Sequence, residues 1–563
     1  MLIAYPVYIL LLLFTVAANI IRKGLRPPEY VTFTLHGSYS DLRRQPEGFL
    51  QSRLSSREKS LQELTRELKT VAKNNQVKGI ILFLNKPGLT LSQVQSLTRV
   101  IEEVRAGGKE VIAWSTIYDT LSYCLAAAGS RVLLQEGGVV YTLGFSSRQL
   151  YMKEALAWCG VELDVVRVSP FKSALDRLIR SDMSDEVREM TGWLMDSYYR
   201  QFIETIARGR NLDEKEADKM VKKTPLFGDK TVEAGAVDGV VNAENLPVYL
   251  GSRDNPARLA SWDECKKCFT RPLPPPPGRY IAVLRVQGNI VDGKSSRPPG
   301  RPPLPAPFIF NEQTGDLTFV RQARLALKDR RVRAVLLYID SGGGSAASSE
   351  AITSTLGKLA AKKPLVALMG SVAASGGYYV ATAASHIVAE QATITGSIGV
   401  IAAKVVNARL LEKLLLNRET VERGKRDLFA SQDEPFTEEE RSKALGFINH
   451  IYELFLKRVA DSRTMKHETV EEVGGGKVWT GQQALEHGLV DELGSLETAL
   501  ARLRRAAGLP ENTPLIDIPY PKRETAPLPA ASSWIEFALS NLDQFQDGKA
   551  LLAGPPYFQR PIT

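Results

Sequence analysis

The apolar pattern Val332-Arg-Ala-Val-Leu-Leu-Tyr-Ile-Asp340 occurs twice in the chain. Its other copy lies 255 positions earlier, as Val77-Lys-Gly-Ile-Ile-Leu-Phe-Leu-Asn85. Short apolar runs of this kind are typical of buried strands in parallel sheets. In the same register, Val111-Ile-Ala-Trp114 matches Val366-Ala-Leu-Met369. Because helical patterns separate these strands, the sequence predicts two tandem α/β domains with parallel sheets flanked by helices.

The repeat predicts how the chain is divided. The predicted parts are an N-terminal anchor over residues 2–21, a first domain over 28–250, a linker over 251–278, a second domain over 279–508 and a proline-rich tail over 509–563. The linker ends in Leu273-Pro-Pro-Pro-Pro-Gly278, and consecutive prolines form a stiff, extended spacer. A second stretch rich in proline and arginine, residues 297–307, is predicted to be a surface insertion.

The N-terminus is apolar over residues 2–21. About 20 residues at ~1.5 Å per residue are enough for a helix to cross a bilayer. A cleaved secretory signal is the alternative, but such signals begin with positive charge, and no Lys or Arg precedes this run. We therefore expect an uncleaved transmembrane anchor. Its orientation stays open, because Arg22, Lys23 and Arg26 follow the run and would keep the body of the chain cytoplasmic.

Composition excludes several classes of function. The chain has 72 Lys+Arg and 63 Asp+Glu, a net charge of +9, and no basic run interleaved with aromatic residues, so no nucleic-acid partner is expected. Cys265-Lys-Lys-Cys268 lacks the second pair or the histidine that a zinc site needs, which leaves a local disulfide or two free thiols. No phosphate-binding or metal-ligand motif is present, so no cofactor and no metal are expected.

One serine stands between a predicted strand and a predicted helix, in Met369-Gly-Ser-Val-Ala-Ala-Ser-Gly-Gly-Tyr-Tyr379. At such a turn Ser375 can be exposed beside free backbone N–H groups, as a nucleophile requires. The alternative is an ordinary turn that needs small residues for packing. The other copy favours the first interpretation, because Ser375-Gly-Gly377 falls opposite Thr120-Leu-Ser122 in the 255-residue register.

A serine nucleophile needs a base within hydrogen-bond reach. The chain has five histidines, and none stands in a pattern that suggests a Ser-His-Asp set. A lysine whose pKa is depressed by burial is the other solution. With 72 basic residues, the residues alone do not select one lysine.

Several motifs resemble those of the S49 serine peptidase family, in its long form with a duplicated domain. They are Ile339-Asp-Ser-Gly-Gly-Gly-Ser345, Val372-Ala-Ala-Ser-Gly-Gly-Tyr-Tyr379, Thr395-Gly-Ser-Ile-Gly399, Val478-Trp-Thr-Gly481 with Gly488-Leu-Val-Asp-Glu-Leu-Gly494, and Ser169-Pro-Phe-Lys-Ser-Ala174. The resemblance covers roughly residues 30–505. It implies a crotonase-like (ClpP-like) fold for each domain and a membrane-attached homotetramer.

The resemblance also implies a catalytic Ser/Lys dyad divided between the two copies. Ser375 would be the nucleophile, Lys172 the general base, and Ser397 a supporting residue that hydrogen-bonds the lysine. The oxyanion hole would be made by the backbone N–H groups of Gly343 or Gly344, together with that of Gly376. Each backbone N–H group that donates to the oxyanion typically raises the rate on the order of 10²–10³-fold.

A second lysine competes for the role of base. Lys425 lies 50 positions after Ser375, where resemblance to the single-copy members of the family would place the lysine. Its segment aligns better with Arg426 in that position, and an arginine stays protonated and is a poor base. Lys172 is therefore the expected base, and Lys425 the alternative.

The resemblance implies a membrane-anchored serine endopeptidase that hydrolyses extended apolar peptides such as cleaved signal peptides. It places the body of the chain on the extracytoplasmic side of the inner membrane. Two other classes stay open: an acyl-CoA enzyme of the crotonase-like fold, and a catalytically inactive assembly protein. The residues fix neither the cleavage preference nor the number of subunits.

Overall fold

The computed structural model describes residues 4–43, 59–275, 277–296, 312–419, 421, 423, 431–519 and 551–553, the last of these as backbone alone. The chain forms two compact units. Unit 1 consists of residues 1–146 and 196–279, and unit 2 of residues 147–195 and 280–563.

The strands are, in chain order, β1 (Tyr30–Ser38), β2 (Gly79–Gly88), β3 (Glu110–Asp119), β4 (Arg131–Tyr141), β5 (Glu162–Arg167), β6 (Leu226–Phe227), β7 (Gly239–Val240), β8 (Leu259–Ser261), β9 (Tyr280–Val291), β10 (Gln313–Gly315), β11 (Val332–Ser345), β12 (Leu365–Ala374), β13 (His386–Ala389), β14 (Ile394–Gly396), β15 (Ile401–Val406), β16 (Val478–Thr480), β17 (Glu492–Leu493), β18 (Leu515–Asp517) and β19 (Leu551–Ala553).

The α-helices are α1 (Ala4–Lys23), α2 (Leu61–Ala72), α3 (Leu91–Ala106), α4 (Thr120–Ala127), α5 (Lys153–Cys159), α6 (Asp176–Ile179), α7 (Asp185–Arg210), α8 (Glu214–Lys222), α9 (Asp229–Glu233), α10 (Leu246–Leu250), α11 (Trp262–Cys265), α12 (Asp316–Lys328), α13 (Ala346–Ala360), α14 (Gly376–Ala381), α15 (Ala408–Lys413), α16 (Glu438–Arg463), α17 (His467–Val473), α18 (Gly481–Glu486) and α19 (Leu496–Ala507).

Unit 1 is built on one sheet with the strand order β6-β4-β3-β2-β1-β8, and β7 also pairs with β4. The strands from β4 to β8 along this order pair in parallel, whereas β6 is antiparallel to β4. The repeated strand forms its centre, with Ile80 paired to Val31 on one side and to Val111 on the other. All three residues are buried in a core that also contains residues of the helices covering the sheet.

Unit 2 repeats this plan around β11, which pairs in parallel with β9 and with β12. The strand extends beyond the predicted apolar run, through the glycines to Ser345. At the far edge, β15 pairs antiparallel with β5, with Ala402 opposite Val166. The segment 147–195 thereby contributes a strand to the sheet of unit 2. The short strand β19 pairs antiparallel with β11 and with β15.

The predicted α/β class with parallel sheets is confirmed, whereas the compact units differ from the predicted division of the chain. The segment 147–195, assigned from sequence to the first domain, belongs to unit 2. Residues 251–278, assigned to a linker, contain β8 and α11, and β8 pairs with β1 inside unit 1. Linear order could not reveal either contact, since each joins residues far apart in sequence. The insertion at 297–307 and most of the tail lie outside the described residues.

The apolar N-terminus forms α1, and Tyr5–Lys23 is long and apolar enough to cross a membrane. This criterion concerns length and composition alone, and a signal sequence also meets it. Cys265 and Cys268 are both free thiols, so the disulfide alternative is not realised.

Candidate active site

Ser375 lies between the end of β12 and the first residue of α14. Its N–H donates to the carbonyl of Gly396 at 2.8 Å, and its carbonyl accepts from the N–H of Tyr379 at 2.8 Å. These two bonds fix the backbone of the turn. The side chain is fully buried, so the exposure expected of a strand-to-helix turn is not found. The backbone of β19 passes close by, paired with Gly343–Ser345.

The backbone of Ser375 is strained, with φ 55° and ψ −118°. A residue with a side chain adopts positive φ rarely and at a cost of about 1–3 kcal/mol. The surrounding sheet imposes this conformation, because β12 ends in a parallel pairing with β14 at Ala374 and Gly396. The predicted turn at Ser375 is therefore a strained one, of the kind that accumulates at functional sites.

Lys172 reaches this turn from the segment that follows β5. Its Nζ lies 2.7 Å from Ser375 Oγ, 2.9 Å from the carbonyl oxygen of Ser397 and 3.0 Å from Ser397 Oγ. A neutral amine has two N–H groups and one lone pair. Ser397 supplies two acceptors, which leaves the lone pair for the hydroxyl proton of Ser375. The three contacts thus match the hydrogen-bonding capacity of a neutral lysine.

Burial also favours the neutral form of this lysine. The side chain of Lys172 is 1% exposed, and the loss of hydration lowers its pKa well below the usual 10.5. Among the described residues, no carboxylate forms an ion pair with Lys172 that would offset this effect. The neighbouring Asp176 is instead paired with Arg167, at 2.7 Å.

Ser397 is fixed from the opposite side. Its φ is 53°, and its N–H donates to the carbonyl oxygen of Lys477 at 2.7 Å. The strand before it, β14, lies between β12 and β16. Ser397 therefore presents both its hydroxyl and its carbonyl oxygen to Lys172 from a backbone held by sheet pairing.

The structure brings together the three glycines proposed for the oxyanion hole. A Cβ placed on Gly376 would lie 3.1 Å from Gly343 Cα and 3.2 Å from Gly344 N. Gly376 is also the first residue of α14, where a backbone N–H has no partner within the helix. The N–H of Gly343 donates to Ser341 Oγ at 3.1 Å.

The alternative base, Lys425, lies outside the described residues.

Sequence reasoning missed two features around the lysine. One is the loop Gly474–Gly476, whose last residue lies directly against the backbone of Lys172. The other is a stacked pair, Trp193 and Trp479, with ring centroids 4.9 Å apart and planes 16° from parallel. Three consecutive glycines are a visible signal of close backbone approach. The partner that approaches them, 302–304 positions away, is not visible in the sequence.

Comparison with known proteins gives one family. The sequence profile described as "Peptidase family S49" matches residues 103–248 and 357–510, which together make up more than half of the chain. The two matched regions correspond to the two copies of the repeat.

Curated relatives cover most of the chain. A chloroplastic serine protease SPPA from Arabidopsis thaliana is 29% identical over 546 residues, which cover 95% of this chain and 77% of that protein. A Protease 4 from Haemophilus influenzae is 30% identical over 468 residues, 78% of this chain and 72% of that protein. A putative signal peptide peptidase SppA from Enterococcus faecium is 35% identical over 261 residues, 46% of this chain and 70% of that protein. The chain belongs to peptidase family S49, in the long form that carries the duplicated domain.

Proposed function

We propose that this S49 serine peptidase hydrolyses extended, largely apolar peptides by means of a Ser/Lys dyad. Ser375 is the nucleophile and Lys172 the general base. The observation that carries the proposal is the buried contact of 2.7 Å between Lys172 Nζ and Ser375 Oγ. A base must lie within about 2.6–3.2 Å of the proton that it removes, and this contact meets the requirement.

The reaction begins with acylation. Neutral Lys172 takes the hydroxyl proton of Ser375 while Oγ attacks the carbonyl carbon of the scissile peptide bond. The resulting tetrahedral intermediate carries an oxyanion. It collapses when the C–N bond breaks, and the ammonium of Lys172 gives its proton to the leaving amine. This leaves an ester between Ser375 and the N-terminal part of the substrate.

Deacylation reuses the same groups. Neutral Lys172 takes a proton from a water molecule as the water oxygen attacks the ester carbonyl. The second tetrahedral intermediate expels Ser375 Oγ, which regains its proton from Lys172, and the carboxylic acid product leaves. Ser397 accepts hydrogen bonds from the lysine throughout and keeps Nζ directed toward the serine.

Backbone N–H groups of Gly343, Gly344 and Gly376 are proposed to bind the oxyanion. Their close packing supports this assignment. To take part, the N–H of Gly343 has to exchange its bond with Ser341 Oγ for one with the oxyanion. Removing one such donor from an oxyanion hole typically costs on the order of 10²–10³ in rate.

The proposed substrate class is the extended peptide, with cleaved signal peptides as its physiological members. The pairing of β19 supports an extended form, since three residues already lie antiparallel to Gly343–Ser345 beside the serine. Main-chain pairing of this kind gives affinity without fixing the side chains. The name of the Enterococcus faecium relative supports signal peptides.

We further propose that α1 anchors the protein in the inner membrane, with the body on the extracytoplasmic side, and that the protein is a homotetramer. The length and apolar character of α1 support the anchor. Orientation and subunit number rest on the resemblance to the family.

The test of the nucleophile compares two matched variants in the full chain. Ser375→Ala removes the proposed nucleophile, and Thr120→Ala changes the residue that stands opposite it in unit 1. We expect Ser375→Ala to lose signal-peptide cleavage and labelling by a fluorophosphonate, whereas Thr120→Ala keeps both. Cleavage that survives Ser375→Ala would contradict the mechanism. A wild-type protein that is neither labelled nor active would favour the acyl-CoA or the inactive assembly alternative.

The choice of base needs a second pair of variants. We expect Lys172→Ala to abolish cleavage and Lys425→Ala to leave kcat/KM within about twofold of the wild type, because a general base contributes about 10²–10⁴ in rate. The reverse result would transfer the role to Lys425 and leave the assignment of Ser375 intact.

A further inference from the structure

The loop Gly474–Gly476 is in backbone contact with the segment that carries the lysine. A Cβ placed on Gly476 would lie 2.7 Å from both N and Cα of Lys172 and 2.8 Å from its Cβ. Side-chain carbons essentially never approach backbone atoms this closely, so no residue other than glycine fits unless Lys172 moves. The φ of Gly476, at 91°, is also one that glycine adopts readily.

Gly399 adds a third layer to this contact. A Cβ on Gly399 would lie 2.9 Å from Gly476 N and 3.3 Å from Lys172 Cδ. The N–H of Gly476 also donates to the carbonyl oxygen of Ile398 at 2.7 Å. Lys172 therefore packs against the backbones of Gly476 and Gly399, and a hydrogen bond from Gly476 N–H to the carbonyl oxygen of Ile398 joins these two segments. The first supports its Cα, and the second lies along its aliphatic stem.

Two other contacts hold the lysine segment on unit 2. The strand β5, just before it, pairs with β15. Trp193, after it, stacks on Trp479 and donates from Nε1 to the carbonyl oxygen of Val478 at 2.8 Å. These contacts fasten the segment on both sides of Lys172. The glycine loop sets how deeply the lysine between them enters the site.

Depth matters because the reactive nitrogen stands at the end of a four-carbon stem. Its three contacts lie between 2.7 and 3.0 Å, with little room for displacement. In enzymes, a shift of about 1 Å in a reacting group can cost on the order of 10²-fold in rate.

We infer that Gly476 is a positioning residue for the general base: its bare backbone lets Lys172 seat deeply enough for Nζ to reach Ser375 and Ser397. Gly399 assists by leaving space for the lysine stem. This inference rests on the proposed function, since it assigns a role toward the proposed base.

The experiment compares Gly476→Ala with Gly475→Ala in the full chain. Both glycines have positive φ, 91° and 63°, so both substitutions strain the backbone. They differ in what the new methyl meets, because a Cβ on Gly475 has its nearest neighbour, Ser169 Oγ, at 3.4 Å, an ordinary contact distance. Gly475→Ala is therefore the control for loop strain.

We expect Gly476→Ala to lower kcat on a signal peptide at least about 10²-fold, with KM little changed. Gly475→Ala should keep kcat within about fivefold of the wild-type value, and its unfolding midpoint should be similar to that of Gly476→Ala. In Gly476→Ala the acid limb of the pH profile of kcat/KM should move to higher pH. A Lys172 side chain displaced from its buried position regains hydration, which raises its pKa. A purely structural role for the loop would not move this limb.

Gly399→Ala is the second variant, for the case in which Gly476→Ala does not fold. Its methyl group would lie 2.9 Å from Gly476 N and 3.3 Å from Lys172 Cδ, so it presses on both the loop and the lysine stem. It should show the same fall in kcat with the same shift of the acid limb. If folded Gly476→Ala, or failing that Gly399→Ala, matches Gly475→Ala in kcat and pH profile, the inference is wrong. Failure of the proposed function is recognised separately, by cleavage that survives Ser375→Ala.

Discussion

The same turn of the repeat has two different solutions in the two units. In unit 1, α4 begins after Asp119, which has relaxed dihedral angles, φ −81° and ψ 179°, and accepts a hydrogen bond from the N–H of Ser122 at 2.7 Å. In unit 2, α14 begins after Ser375, whose φ is 55° and whose side chain forms no cap. Unit 1 has an ordinary capped helix where unit 2 has a strained serine.

Away from this turn, the two units share a supporting network. In unit 1, Arg210 pairs with Asp238 at 2.7 Å, and the Asp238 carboxylate accepts from a strand N–H at 2.7 Å. In unit 2, Arg463 forms the equivalent pair with Asp491, which likewise accepts from a strand N–H at 2.7 Å. The network is present both in the unit with the strained serine and in the unit without it. It therefore supports the fold that the two units share.

The largest expected effect is a difference in activity between substitutions of Lys172 and Lys109, which both donate to backbone carbonyl oxygens. Lys172→Met should lower kcat/KM at least about 10³-fold, because the loss of one member of the proposed catalytic dyad removes most of the activity of the whole. Lys109 of unit 1 donates to the carbonyl oxygens of Asn74 and Val77 at 2.7 and 2.6 Å. Lys109→Met should lower the unfolding midpoint and leave kcat/KM per folded molecule unchanged. Equal losses of activity would show that the two lysines do not differ in role.

The shared network predicts equal losses of stability. Arg210 and Arg463 side chains are 11% and 8% exposed. Removing either leaves a carboxylate without its charged partner, so Arg210→Met and Arg463→Met should each cost about 1.5–3 kcal/mol. Urea unfolding monitored separately for each unit, by a tryptophan or a proteolytic probe, measures this. A clearly larger cost in unit 2 would mean that the network also supports the site.

The buried Lys172 predicts a pH dependence of the stability of unit 2. Because burial lowers the pKa of Lys172 below its usual 10.5, the unfolded chain binds more protons than the folded one between the two values. The free energy of unfolding therefore rises with pH there, by up to about 1.4 kcal/mol per pH unit. In a Ser375→Ala background, which prevents self-digestion, Lys172→Met should remove the part of this slope that Lys172 contributes. A slope left unchanged by this substitution below pH 10.5 would contradict a buried, neutral lysine.

The smallest effect concerns the strained turn itself. Ser375→Gly should have a free energy of unfolding about 1 kcal/mol higher than Ser375→Ala, because both variants lose the contact with Lys172 and glycine alone adopts positive φ without strain. Thr120→Gly, at the first position of α4, should instead be up to about 1 kcal/mol less stable than Thr120→Ala. Thermal unfolding of the four variants gives the sign of each difference. A Ser375→Gly variant no more stable than Ser375→Ala would show that the turn is not strained.

Sequence reasoning predicted local features and missed contacts between distant residues. The strand-to-helix turn at Ser375 followed from an apolar run, a glycine pair and an alanine-rich segment, all within about twenty residues. The choice of Lys172 came from resemblance, because no local pattern distinguishes it from other lysines. The strain at Ser375 was not predicted either, since it arises from pairing between β12 and β14.

The division of the chain was the hardest feature to predict. Strand β5 follows the first copy in sequence but pairs with β15 of the second. An antiparallel pairing of this kind depends on edge complementarity, which leaves no periodic signal. For the same reason, the three glycines at 474–476 could be seen, while their contact with Lys172 could not.

The 203 positions between Lys172 and Ser375 also mean that the two residues of the proposed dyad are synthesised at different times. Lys172 leaves the ribosome long before the glycine loop at 474–476 that supports it. At about 5–20 residues per second, the interval is roughly 15–60 s. A chain interrupted within that interval contains Lys172 but lacks the glycine loop that packs against it. Separate halves would carry the proposed base and the proposed nucleophile on different molecules, so neither half alone would contain the proposed dyad.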